Sequence, residues 1–374
     1  MFFYHPRMTT YDFGPHHPLR PERLHRTMAL LRYLSPDLAV HDPGLASVAD
    51  LERVHTSDYI DVVRRLSLHE RVSNDAMERS GFWSGDNPPF EGMYQAAQAY
   101  CGGAVMAANH VKSGGRLAFN LAGGLHHARS QQASGFCVFN DCAIACSILR
   151  ERFDRVAYVD IDLHHGDGVQ GIFFDDPHVL TCSIHESGRF LYPGTGFVEE
   201  TGAEFTSINV PLEPDTTGDT WLWAFENGIM PALDRFQPGA IVLQMGADPH
   251  FLDPLGHLAV TAQEWLSAVM LVRNLGLPLV ALGGGGYERT TVPRMWVSAV
   301  TTLLGQDAPD FLEPGLLDQE LVLDSGETSR LGVIVPGGNM LCDDLPEPRE
   351  RGMSAAENVV DSLRKNVLDR VPRP

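Results

Sequence analysis

No stretch of this chain approaches 18 consecutive apolar residues, so no membrane-spanning helix is expected. The opening residues, MFFYHPRMTTYDF, hold neither a long apolar segment nor a small-residue cleavage site, which argues against a secretory signal. The six cysteines, Cys101, Cys137, Cys142, Cys146, Cys182 and Cys342, form no C-x-x-C pair. Their spacing suggests no disulfide framework, and a reducing cytoplasm is the expected home. Cys142 and Cys146 fall one helical turn apart and read as buried thiols, not as a metal site. Basic residues are few, with 28 lysines and arginines against 48 acidic residues and a net charge of −20. That balance leaves no footprint for nucleic acid, which needs cations to neutralise its phosphates. It would instead draw basic, lysine-bearing segments. No repeat, low-complexity tract or clear linker appears, so the 374 residues make one large domain or two ordinary ones.

What is present is an alternation. Short apolar runs of strand character occur at 156–162, 178–184, 207–212, 240–248 and 277–286. Helix-like segments lie among them at 93–111, 142–153, 220–236 and 261–275, the last opening on a Thr261–Glu264 capping box. Strands alternating with helices predict an α/β fold with a mostly parallel sheet covered on both faces. Ligands in such folds bind beyond the carboxyl ends of the strands. Those ends should carry the chemistry.

The run VAYVDIDLHHGDGVQG, 156–171, ends in a G-x-G-x-x-G of Gly166, Gly168 and Gly171, with Glu186 about 20 residues on. This is the outline of a dinucleotide site. Yet Asp160, Asp162 and Asp167 would face a pyrophosphate with no lysine or arginine in the segment to offset them. The glycines are better read as permitting a sharp turn. Alternation along a strand puts Asp160, Asp162 and His164 on one face, and buried carboxylates call for a cation. Asp248, at the end of AIVLQMGAD, offers a third ligand beside Asp162 and His164 and leaves a position open for water. Aspartate and histidine suit zinc, and also iron or manganese. His126 and His127 in GGLHHA start near a neutral pKa and suit a general base, with Asp160 and Asp167 as available carboxylate partners. Gly283–Gly286 deliver Tyr287 at another strand end, where a phenol can donate to a developing oxyanion.

GGLHHA, ASGFCVFND, DIDLHHGDGVQ, PGTG, GAD and GGGGY, in this order, resemble the histone deacetylase superfamily. The block HESGRFLYPGTGFVEETG is most similar to its bacterial acetoin-utilisation (AcuC-type) members. The resemblance runs from about Tyr4 to about Leu304 and implies an arginase-like α/β domain with an eight-stranded parallel sheet. Residues 1–374 are then one deacetylase domain, with 321–374 an extension that packs or is partly flexible and carries no site. The implied activity is zinc-dependent hydrolysis of the acetyl amide of acetyl-lysine in proteins, with Fe2+ as an alternative metal. By motif, Asp162, His164 and Asp248 are the implied metal ligands. His126 and His127, backed by Asp160 and Asp167, and Tyr287 are the implied catalytic groups. The resemblance implies substrate contacts from Asp86, Gly135, Phe136, Tyr192, Leu255 and Gly285. It also implies a potassium site at Asp160, Asp162, His164, Ser183 and Ile184. His16 and His17 in GPHHPLRPERL are expected to be structural, and Arg23 to line an internal acetate exit. Phe139 and the QMGADPHFLDP loop depart from the family pattern, which touches substrate choice. An acetylated acetyl-CoA synthetase is an implied partner. Acetylpolyamine hydrolysis and longer-chain lysine deacylation are the alternative activities. A binuclear manganese ureohydrolase would need D-A-H-x-D where this chain has His165 and Gly166. A non-catalytic acetyl-lysine reader would not need the full set of catalytic residues.

Overall fold

The computed structural model describes all residues except 84, 307–308 and 342–351, so Cys342 lies outside the described residues. Eight parallel strands form the central sheet: β1 (Phe2–Phe3), β2 (Val40–His41), β3 (Leu117–Asn120), β4 (Val156–Asp160), β5 (Val179–Glu186), β6 (Ser207–Leu212), β7 (Ala240–Gln244) and β8 (Leu279–Leu282). Their spatial order is β2-β1-β3-β8-β7-β4-β5-β6. Helices flank the sheet, as the sequence predicts. Strands β4, β7 and β8 are buried at every position, which explains why VAYV, AIVL and LVAL show no polar alternation.

Several sequence boundaries shift. Regular pairing in β4 stops at Asp160 and in β7 at Gln244, so Asp162, His164 and Asp248 stand on the loops just beyond. Strands β1, β2 and β3 have no counterpart among the sequence-predicted runs. The expected helix over 220–236 is two short helices, Gly218–Ala224 and Met230–Phe236, joined by a π-helical turn at Phe225–Ile229. Pro231 lacks the N–H that a regular helix requires there, which accounts for the break. The Thr261–Glu264 capping box is present.

The C-terminal segment holds a small antiparallel hairpin (Glu320–Val322 with Thr328–Arg330) and a helix, Met353–Asn366. Ala356, Val360 and Leu363 form that helix's buried stripe, and it packs on β6 and the Gly218–Ala224 helix. The guanidinium of Arg155 donates to the carbonyl of Pro372, and Arg235 to that of Val371. The five described cysteines are free and buried.

Candidate active site

Strands β3, β8, β7 and β4 are neighbours at the middle of the sheet. The loops at their carboxyl ends carry, in that order, His126 and His127, then Tyr287, then Asp248, then Asp162 and His164. Residues up to 161 positions apart in sequence, His126 and Tyr287, are thus brought to one place by strand order.

Asp162, His164 and Asp248 are buried, with one donor atom from each lying within 4.8 Å of the others. Among the described residues no other such cluster occurs. The His164 Nδ1 is 3.3 Å from Asp162 Oδ1 and 3.2 Å from Asp248 Oδ2. The remaining carboxylate oxygens are held from behind. Asp162 Oδ2 accepts from the Gln244 side-chain amide (2.7 Å) and the Gly285 N–H (2.8 Å). Asp248 Oδ1 accepts from the Leu163 N–H at 3.0 Å. Each carboxylate therefore turns one oxygen toward the imidazole and fixes the other in a hydrogen bond. Burial works against charge on His164, but hydrogen bonds to both carboxylates raise it to about 10. Two buried carboxylates this close require a cation, and an O, N, O donor set suits a divalent metal. The residues fit one.

Beside this cluster, the two histidines form a relay. His126 Nδ1 lies 2.8 Å from Asp160 Oδ2, and His127 Nδ1 lies 2.7 Å from Asp167 Oδ1. A carboxylate at each Nδ1 makes both Nδ1 atoms donors. The two Nε2 atoms are 3.0 Å apart, a contact that holds one proton between them. The pair then carries a single positive charge. Burial lowers His127 to about 4, with the charge of His126 pushing the same way. Burial also opposes charge on His126, but Asp160 and Asp162 raise it to about 9. The charge therefore sits on His126, and His127 Nε2 is an acceptor. Asp167 is held down to about 2 despite its burial, by His127 and by Arg129, whose guanidinium donates at 2.8 Å.

These groups open onto a cavity of about 290 Å³ lined by Asp86, His127, Gly135, Phe136, His164, Leu191, Tyr192, Leu255 and Tyr287. Asp86 and Tyr192 are exposed, Phe136, Leu255 and Tyr287 partly buried, and His127 and His164 buried. The cavity thus runs inward from the aspartate to the two histidines. Gly135 (φ +50°) and Phe136 (φ +67°) are the central pair of a tight turn in which Ser134 and Cys137 exchange backbone hydrogen bonds. A Cβ at Gly135 would lie 2.3 Å from His127 Cδ2. The Phe136 carbonyl accepts from Tyr11 Oη (2.8 Å), an anchor for a strained aromatic wall. Beneath the histidines is a second cavity of about 20 Å³, lined by residues that include Arg23, Leu125 and Cys137. Arg23 donates to the carbonyls of Gly284 (2.7 Å) and Gly286 (3.1 Å). His17 packs on the Phe136 ring (4.4 Å between centroids), so it supports the wall. Ser183 is the register partner of Asp160, and its hydroxyl is 2.8 Å from His185 Nδ1.

The first two glycines of the G-x-G-x-x-G have a packing cause, while a Cβ at Gly171 would meet nothing within 4 Å. A Cβ at Gly166 would lie 2.3 Å from Asp160 Oδ2, and one at Gly168 would lie 2.4 Å from the His126 carbonyl. Gly166 has φ −74°, so close approach, and not the expected turn geometry, accounts for it.

Several supporting residues went unread in the sequence. Asn140 donates its amide to the carbonyls of His126 (3.0 Å) and Ala128 (2.8 Å). Asp141 accepts from the N–H groups of Gly124 and Leu125. Together they clamp the backbone that carries the histidine pair. Tyr158 donates to Asp160 at 2.7 Å. Strand alternation from Asp160 pointed to Tyr158; nothing local pointed to Gln244 or Arg129.

The family described as "Histone deacetylase domain" matches residues 17–303. The acetoin utilization protein AcuC of Bacillus subtilis is 39% identical over 327 residues, 84% of each chain. Histone deacetylase 1 of Oryza sativa is 36% identical over 319 residues, 84% of this chain and 61% of the rice protein. Histone deacetylase clr6 of Schizosaccharomyces pombe is 36% identical over 323 residues, 83% of this chain and 78% of the relative.

Proposed function

The chain belongs to the histone deacetylase family of hydrolases, and from that premise we propose that it hydrolyses the acetyl amide of Nε-acetyl-lysine in proteins, with zinc at Asp162, His164 and Asp248. One observation carries the reading. A cavity with apolar and aromatic walls reaches a residue of the metal-fitting cluster, His164, beside the His127 imidazole and the Tyr287 phenol. Phe136 and Tyr192 suit the aliphatic stem of an acyl-lysine. Asp86, exposed at the outer end, suits the backbone N–H groups of a peptide. The 20 Å³ cavity beyond the histidines has room for about one water, which favours acetyl over longer acyl groups.

When bound, the metal supplies a Lewis acid that polarises the acyl carbonyl and acidifies a water. For His127 Nε2 to take the proton of the attacking water, its lone pair must first part from His126 Nε2, while Asp167 holds its Nδ1–H. His127 then returns that proton to the departing lysine nitrogen. Tyr287 donates its phenol hydrogen to the acyl oxygen as that oxygen gains charge. His126 keeps its proton through the cycle, stabilised by Asp160. Gly285 lines the 20 Å³ inner cavity and not the larger one, and a Cβ there would lie 2.0 Å from Asp248 Oδ2, so its contact with substrate would be at the acyl end. We also place a potassium ion at Asp160, Asp162, His164, Ser183 and Ile184, which the adjacency of β4 and β5 favours.

Likeness to AcuC makes acetylated acetyl-CoA synthetase the first protein substrate to try. Free buried thiols favour a reducing cytoplasm, and no helix among the described residues is long and apolar enough to cross a membrane. Side-by-side turnover of an acetyl-lysine peptide, a decanoyl-lysine peptide and acetylspermidine tests the reading. Acetyl-lysine should be preferred. Faster turnover of either of the others would replace it with the corresponding deacylase or polyamine activity.

A further inference from the structure

We infer that Asp253 is a positioning residue for Tyr287. Its carboxylate is buried and shares its two oxygens between two backbone N–H groups. Oδ2 accepts from Tyr287 at 2.7 Å and Oδ1 from Leu255 at 3.0 Å. One side chain thereby ties the phenol that faces the cavity to a residue of the cavity wall. The inference rests on the proposed hydrolase reading only for its effect on turnover.

The need for such an anchor follows from the chain around Tyr287. Four glycines precede it, and Gly284 (φ +152°) and Gly286 (φ +125°) hold conformations that leave the backbone wide freedom. The other anchors stop short of the tyrosine. Arg23 grips the carbonyls of Gly284 and Gly286. Asp162 takes the Gly285 N–H, and the Gly285 carbonyl accepts from the Ala247 N–H. After the tyrosine, Glu288 accepts from the N–H groups of Thr290 and Thr291 at the next helix. At Tyr287 itself the side-chain contact to the backbone is Asp253. Ring contact with Phe136 (5.8 Å, edge-on) guides the side chain, but Phe136 lies on a separate loop. A carboxyl group fits because both incoming groups are donors. An amide offers one acceptor and turns its NH₂ toward the second N–H.

The test is a double-mutant cycle with Asp253→Asn and Tyr287→Phe on the metal-loaded full chain, read with hydrogen exchange at the Tyr287 amide. Misplacement of a catalytic group by about 1 Å costs roughly 100-fold. Asp253→Asn is expected to lower kcat about 10- to 100-fold with KM changed less than about 3-fold, and to speed exchange at the Tyr287 amide. In the Tyr287→Phe background it should cost less than about 3-fold, because the group it positions is already gone. Losses that multiply in full, or an unchanged kcat and exchange rate, would overturn the inference. Should Asp253→Asn fail to fold, Asp253→Glu carries the same comparison, since it keeps both acceptors but shifts them along the chain. If the wild-type chain hydrolyses no acyl-lysine substrate, the proposed function fails, while the exchange measurement still decides whether Asp253 orders Tyr287.

Discussion

Tyr287 lines the cavity, and its hydroxyl makes no hydrogen bond with the described residues. Burial, reinforced by Asp248 and Asp162, raises its pKa well above the ordinary phenol value, so it stays a donor throughout the neutral range. Tyr287→Phe removes that donor and little else. Loss of one oxyanion donor costs roughly 100–1,000-fold in kcat, and the variant should fall in that range with an unchanged melting temperature. Full activity in Tyr287→Phe would remove the phenol from the chemistry. The residues with distinctive chemistry were legible here. Asp162, His164, Asp248, His126, His127 and Tyr287 stand out because buried carboxylates, adjacent histidines and a glycine-borne phenol each ask for a reason. Gln244, Arg129, Asn140 and Asp141 act by hydrogen bonds to partners distant in sequence, and only the folded chain shows those partners.

At the scale of elements, strand order assembles the site, and the long buried strands were the easiest to read. Strands β1 and β2 are two residues each, too short for any periodic pattern, and β3 begins on a partly buried leucine. Their places depend on pairing with β8 and with one another. The C-terminal helix Met353–Asn366 covers β6, the sheet edge, with Ala356, Val360 and Leu363, and Leu368 and Val371 follow it into the core. Burying an aliphatic side chain contributes about 1.5–3 kcal/mol. The two valines and two leucines among them make the helix and tail worth on the order of 5 kcal/mol, after allowing for a compact unfolded state. A chain ending at residue 351 should therefore melt roughly 10 °C lower than the full chain by calorimetry. An unchanged melting temperature would show that the edge strand does not need its cover.

At the scale of the molecule, the fold also holds a histidine neutral that is not among the metal-fitting residues, His55. The His55 Nδ1–H donates to the Arg129 carbonyl (3.1 Å), and its Nε2 accepts from the Asn140 N–H (2.9 Å). Burial lowers its pKa to about 4, against 6.5 in the unfolded chain. Between these values the unfolded state binds the extra proton. This contribution to stability is full above pH 6.5 and is lost as pH falls toward 4, a swing of about 3 kcal/mol. The difference in urea unfolding between wild type and His55→Gln should narrow by that order from pH 7 to pH 4.5. A pH-independent difference would contradict it. His55, between the helices Val48–Leu51 and Ser57–Ser67, bonds the backbone on both sides of the loop that follows the histidine pair, so acid should loosen the site before the sheet.

The most direct test of the account is acetate release from an acetyl-lysine peptide before chelation, after chelation and after zinc is restored. The account predicts release that disappears with the metal and returns with it, because Asp162, His164 and Asp248 offer a donor set that fits a metal. Acetate release undiminished in a chain shown to be metal-free, or none from a folded, zinc-loaded chain, would contradict it.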